Sequence, residues 1–169
     1  MMTPLLFVGG FLLAALVQLY LPCWPIFGGI KPPVLLSLVL YHALKGSPKT
    51  TIWAVAFAVL LQDGLDLNRF GPALLGFPTV ALLAHRIQSR IFVDLLLTQM
   101  IFGALSAFVA MSVAIVVYTL TGQRPFSFSQ NMLRLIGSLV LGMGTFPALM
   151  WFSNCVTTVR INKRRRRWL

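Results

Sequence analysis

Acidic residues are nearly absent from this sequence: there are three, Asp63, Asp66 and Asp94, and no glutamate. No paired catalytic carboxylate signature can be assembled from them. No nucleophile–base pair or phosphate-binding loop takes its place, so the sequence reads as a non-enzyme. Only two cysteines occur, Cys23 and Cys155, which excludes a disulfide framework. The two histidines, His42 and His85, have no Cys, Asp or Glu at metal-ligand spacing, so no metal or other cofactor is expected. Charged residues of both signs make up 10% of the chain, against about a quarter in an ordinary globular domain.

Apolar residues fill the space that charge vacates. They make up 58% of the 169 residues, with a mean hydropathy of +0.86. A soluble fold of this size could not hide that much apolar surface, so the expected fold is all-α: a polytopic membrane bundle of about six transmembrane helices, five being the alternative. The residues predict helices over 4–21, 33–44, 51–65, 73–85, 91–120 and 130–159. Pro- and Gly-rich turns at 22–33, 46–48 and 68–72 separate the first four. Crossing about 30 Å of hydrocarbon takes about twenty residues. The second and fourth helices fall short, and are expected to be broken, partly re-entrant or shielded by protein. Helices five and six are long enough to tilt or to project from the bilayer.

The net charge of +11 does not suggest nucleic acid, because six of the fourteen basic residues lie within the last ten positions. That is a juxtamembrane basic tail and not a basic face. The chain therefore divides into a transmembrane domain, 1–159, and a basic tail, 160–169. With six spans and the N-terminus inside, ten basic residues fall on the cytoplasmic side and four, Lys31, Arg69, Arg124 and Arg134, on the outer side. The positive-inside rule thus places both termini in the cytoplasm. Lys163, Arg164, Arg165, Arg166 and Arg167, followed by Trp168, suit anionic headgroups or serve to fix the topology. Tyr20-Leu21-Pro22-Cys23 faintly matches a lipoprotein cleavage site, but Pro precedes the Cys and no basic residue precedes the apolar run. An uncleaved first span is expected.

Asp63 and Asp66 are three residues apart and share a helical face. An acid within a membrane span is costly and marks a candidate functional site. A structural or subunit-contact role, ligand binding and proton transfer are all open to it, with Arg69 a neighbour able to neutralise one carboxylate. Asp94 begins the fifth helix four residues after Arg90, a natural ion-pair partner. Gly103, Ala107, Ala110 and Ala114 form a small-residue stripe on helix five, and Gly137, Gly144 and Ala148 form one on helix six. Such stripes let helix backbones approach closely.

The layout resembles the rod shape-determining MreD family of bacterial cell-wall elongation. The features that carry the resemblance are the chain's size, the short second hairpin beginning Lys31-Pro32-Pro33, and the motif Leu60-Leu61-Gln62-Asp63 with Gly71 eight residues on. An apolar segment and the basic Arg86 follow, while Asp66, Asn68 and Phe70 in the turn depart from the family pattern. The resemblance implies a non-enzymatic, multi-pass subunit of the bacterial inner membrane. It also implies roles for Asp63, Asp66 and Gly71 in structure or partner contact. Implied partners are an MreC-like bitopic protein, an MreB-like filament, a RodA-like glycosyltransferase and a class B penicillin-binding protein. The family fold is similar to that of the substrate-binding membrane subunit of energy-coupling-factor vitamin transporters, so a small-molecule-binding subunit is the second expectation.

Overall fold

The computed structural model describes residues 4–66, 71–87, 95–122 and 127–165, and every extended run of regular structure among them is α-helical. The helices are α1 (Pro4–Tyr20), α2 (Val34–Lys45), α3 (Pro48–Asp66), α4 (Ala73–Ile87), α5 (Leu96–Leu120) and α6 (Phe128–Arg165). A single 3-10 turn, Pro25–Phe27, interrupts the α1–α2 loop.

Local chemistry sets the boundaries. Pro48, expected in the turn, is instead the first residue of α3, where its missing N–H costs nothing. Ser47 Oγ accepts a hydrogen bond from the Thr50 N–H at 3.4 Å, which caps that helix. Leu95 is extended, so α5 begins at Leu96 rather than at Ile91. Residues 88–94, with Arg90 and Asp94, lie outside the described residues. α6 runs past the expected boundary at Val159 as far as Arg165. Lys and Arg are good helix formers and are favoured at a helix C-terminus, so the basic segment extends the helix.

α2 is the axis of the molecule. It has 12 residues, about 18 Å at the helical rise, and packs against α1, α3, α4, α5 and α6. Leu35, Leu36, Val39, Leu40, Ala43 and Leu44 are all buried and cover about half of its circumference, while Val34, Leu38 and Tyr41 on the other half are partly buried against the same core. A helix apolar on every side belongs inside a bundle. Its C-terminal half carries His42, which stacks on Phe11 at 5.8 Å and tilts against Phe7 at 5.2 Å. Thr51 Oγ1 donates to the His42 carbonyl at 3.0 Å and ties α3 to the same point.

Two helices, Leu96–Leu120 and Phe128–Cys155, are long and apolar enough to cross a membrane; the 17, 12 and 15 residues of α1, α2 and α4 are shorter. Apolar side chains cover the outward faces, among them Leu13 and Leu16 on α1, Leu82 on α4, Leu97 and Leu105 on α5 and Ile136 on α6.

Candidate functional site

A polar crossing joins three helices at the first turn of α2. A helix begins with N–H groups that have no partner inside it, and in a buried helix something else must accept from them. Gln18, 6% exposed on α1, does this. Its Oε1 accepts from the Leu35 N–H at 3.0 Å, while its Nε2 donates to Gln62 Oε1 on α3 at 2.7 Å. Ser37 Oγ, one turn into α2, lies 3.1 Å from Thr145 Oγ1 on α6. The sequence reading missed Gln18; the signal was a lone amide in an otherwise apolar first helix.

Next to Gln62, the motif residues come together. The Asp63 carboxyl, with Oδ1 fully buried, rests directly on Gly71: a Cβ on Gly71 would overlap the carboxyl carbon and both oxygens. Glycine is therefore the residue that fits there, for want of space and not for backbone angle. Asp66 closes α3, but its side chain, and Arg69, lie outside the described residues.

The α1–α2 loop folds back on itself. The Trp24 N–H donates to the Ile30 carbonyl at 3.2 Å, and Gly28 and Gly29 take φ of +71° and +74°, where L side chains are strained. Arg134 on α6 pins the loop, its Nε donating to the Gly28 carbonyl at 3.3 Å. A Cβ on Gly28 would approach Arg134 Cγ to 2.9 Å.

Beside this loop lies a partly open pocket of about 310 Å³. All six helices contribute: Gln18 from α1, Leu36 from α2, Gln62 from α3, Phe77 from α4, Met111 and Tyr118 from α5, and Arg134 and Ser138 from α6. The loop adds Cys23 and Lys31. These are the C-terminal ends of α1, α3 and α5 and the N-terminal ends of α2, α4 and α6, so the helices run alternately up and down. Lys45, Lys49 and Arg86 belong to the opposite ends. Two cations and no acid line the cavity among the described residues. No family model, curated protein or solved structure matches this chain. The site must therefore be read from its own chemistry.

The small-residue stripe of α5 has two neighbours. Gly103 and Ala107 meet α6, and Ala110 lies against Gly76 on α4, where an added Cβ would sit 3.5 Å from Ala110 Cα. Ala114 lines the cavity. On α6 the contact falls elsewhere than expected. Gly144 faces open space and Ala148 is exposed, while Gly142 faces Gly103 so closely that a Cβ on either would overlap the other's carbonyl oxygen. The buried face of α6 runs through Gly137, Ser138, Leu141, Gly142, Phe146 and Met150, and Gly144 points about 200° away from Gly142. Gly137 lies on the buried face. Lys163, Arg164 and Arg165 belong to the last turns of α6, whereas Arg166 and Arg167 lie outside the described residues.

Proposed function

We propose that the chain is a multi-pass protein of the bacterial inner membrane with its C-terminus in the cytoplasm. In this reading it is a non-enzymatic scaffold or regulatory subunit of the cell-wall elongation machinery. Two long apolar helices and the apolar outward faces of α1, α4, α5 and α6 support the membrane placement, since soluble monomers expose few large apolar patches. The observation that carries the assignment is the seating of Asp63 on Gly71. Two motif residues eight positions apart meet where α3 gives way to α4, which gives the motif a physical reason to exist. Partners would be an MreC-like bitopic protein, an MreB-like filament, a RodA-like glycosyltransferase and a class B penicillin-binding protein. Affinity purification in mild detergent, followed by identification of the co-purifying proteins, tests this. Recovery of the wall synthases and the bitopic protein is expected.

One observation favours a second reading, a small-molecule-binding subunit of an energy-coupling-factor transporter. The cavity of about 310 Å³ falls at the lower end of the usual range for small-molecule sites, about 300–1,000 Å³. Co-purification of an ATPase pair with a membrane coupling protein would overturn the first reading in favour of this one.

A further inference from the structure

A second pocket, of about 210 Å³, opens between α4 and α5 towards the end of the bundle that carries Lys45, Lys49 and Arg86. At the other end of this helix pair the contact is close, since a Cβ on Gly76 would sit 3.5 Å from Ala110 Cα. Further along, the facing residues are large: Leu83 and Ile87 on α4, Phe102 and Leu105 on α5. Small residues let helix backbones approach and large ones hold them apart, so the pair is joined at one end and grooved at the other.

The groove is deep and apolar. Leu40 of α2 lies at its floor, 1% exposed, with Val80 and Ala84 buried beside it, while Leu83 and Leu105 form exposed rims. The one hydroxyl among the described residues that line it, Ser106 Oγ, donates to the Gly103 carbonyl at 2.9 Å within its own helix. A water there would lack partners, whereas an alkyl chain would gain dispersion contacts from three helices. From Ile87 down to Val80 the groove spans about 10 Å at the helical rise, within the depth of one leaflet, about 15 Å of hydrocarbon.

The mouth of the groove carries charge. Arg86 is exposed and follows Leu83 by three residues, so it stands beside that rim one turn nearer the helix end. Its neighbour Ile87 lines the groove. Neither α4 nor α5 contains an acidic residue, and Asp94, in the segment between them, lies outside the described residues. A guanidinium at the open end of an apolar trough complements an anionic headgroup that brings its own chain.

We propose that the α4–α5 groove binds one acyl chain of an anionic phospholipid whose headgroup meets Arg86. The inference rests on the membrane placement given above, but not on which assembly the protein serves. Cell fractionation tests that placement by itself: recovery of the full-length protein without detergent would remove the placement and the site together. The protein extracted from membranes is then purified in mild non-ionic detergent and titrated with dioleoyl phosphatidylglycerol or dioleoyl phosphatidylcholine, and binding is read by native mass spectrometry. The two lipids carry the same chains, so selective retention of phosphatidylglycerol is the expected result, and chain-free glycerophosphoglycerol should not be retained. Arg86→Gln, at an exposed position, should weaken retention about tenfold. Ala84→Phe, which fills the floor of the groove, should abolish it. Lys49→Gln makes the same charge change at the same end of the bundle but outside the groove lining, and should leave retention unchanged. These variants separate the groove from general attraction of the lipid to other basic residues. Equal retention of the two lipids would overturn the proposal, as would undiminished retention in either Arg86→Gln or Ala84→Phe. A lipid-free dimer that Ala84→Phe converts to a monomer would overturn it in favour of a second copy of the chain as the occupant.

Discussion

Gly142→Ala adds one methyl group at the tightest helix contact in the molecule. The new Cβ would overlap the Gly103 carbonyl oxygen and lie 2.6 Å from Ala107 Cβ. Neither obstacle is the flexible tip of a long side chain; one is backbone and the other is bonded directly to it. The strain can be relieved only by parting α5 from α6, which loosens the packing of Phe146, fully buried one turn along. Overpacking of this kind costs about 1–3 kcal/mol. For a chain of this size each kcal/mol moves the melting temperature by about 2–4 °C, so the variant should melt about 2–12 °C lower. Gly144→Ala is the control. It makes the same chemical change two residues along the same helix, but into open space. It should gain about 0.5–1 kcal/mol of helix propensity and melt no lower than the parent. Thermal unfolding followed by far-ultraviolet circular dichroism in mild detergent compares the two directly. Identical melting of both variants would refute the close α5–α6 contact, because the two positions differ only in what lies opposite them.

Other consequences can be checked in the same preparation. Gln18→Leu removes the acceptor of the Leu35 N–H and the donor to Gln62, and should cost about 1–3 kcal/mol, read as a lower melting temperature. Asp63→Ala and Gly71→Ala should each destabilise, but combining them should cost less than the sum, since the first removes the group that the new methyl would strike; strict additivity would break the proposed contact. Cys23 and Cys155 are both exposed and lie towards opposite ends of the bundle. In intact cells a membrane-impermeant maleimide should label Cys23 and spare Cys155, and the reverse pattern would invert the proposed topology.

The helices were largely legible in the sequence because their ends are punctuated. Pro4, Pro33 and the Gly46-Ser47-Pro48 turn each mark a start or a stop within a residue or two of where it falls. α6 was harder to bound: basic residues read as a change of composition, but they do not stop a helix, and no Gly or Pro intervenes before Arg165. The stripe on α5 could be read because it recurs at three- and four-residue spacing. On α6, three nearby glycines, Gly137, Gly142 and Gly144, offered rival faces, and only the position of Gly103 distinguishes them. The cavity was not legible at all. Its walls come from six helices and a loop, and Lys31 and Arg134, about a hundred residues apart, share nothing in the sequence except their sign.

The shortness of α2 accounts for much of this arrangement. A central helix of 12 residues cannot reach both ends of a bundle whose outer members α5 and α6 have 25 and 38. Its N-terminus therefore starts below one end, and two consequences follow together. The first-turn N–H groups become buried donors that water cannot satisfy, which demands an acceptor from a neighbour; Gln18 supplies it and Gln62 in turn holds Gln18. The pocket is lined at this end by Pro33 and Leu36 of the helix start and by residues of the α1–α2 loop. The amide crossing and the cavity are thus two results of one feature, a core helix that starts late.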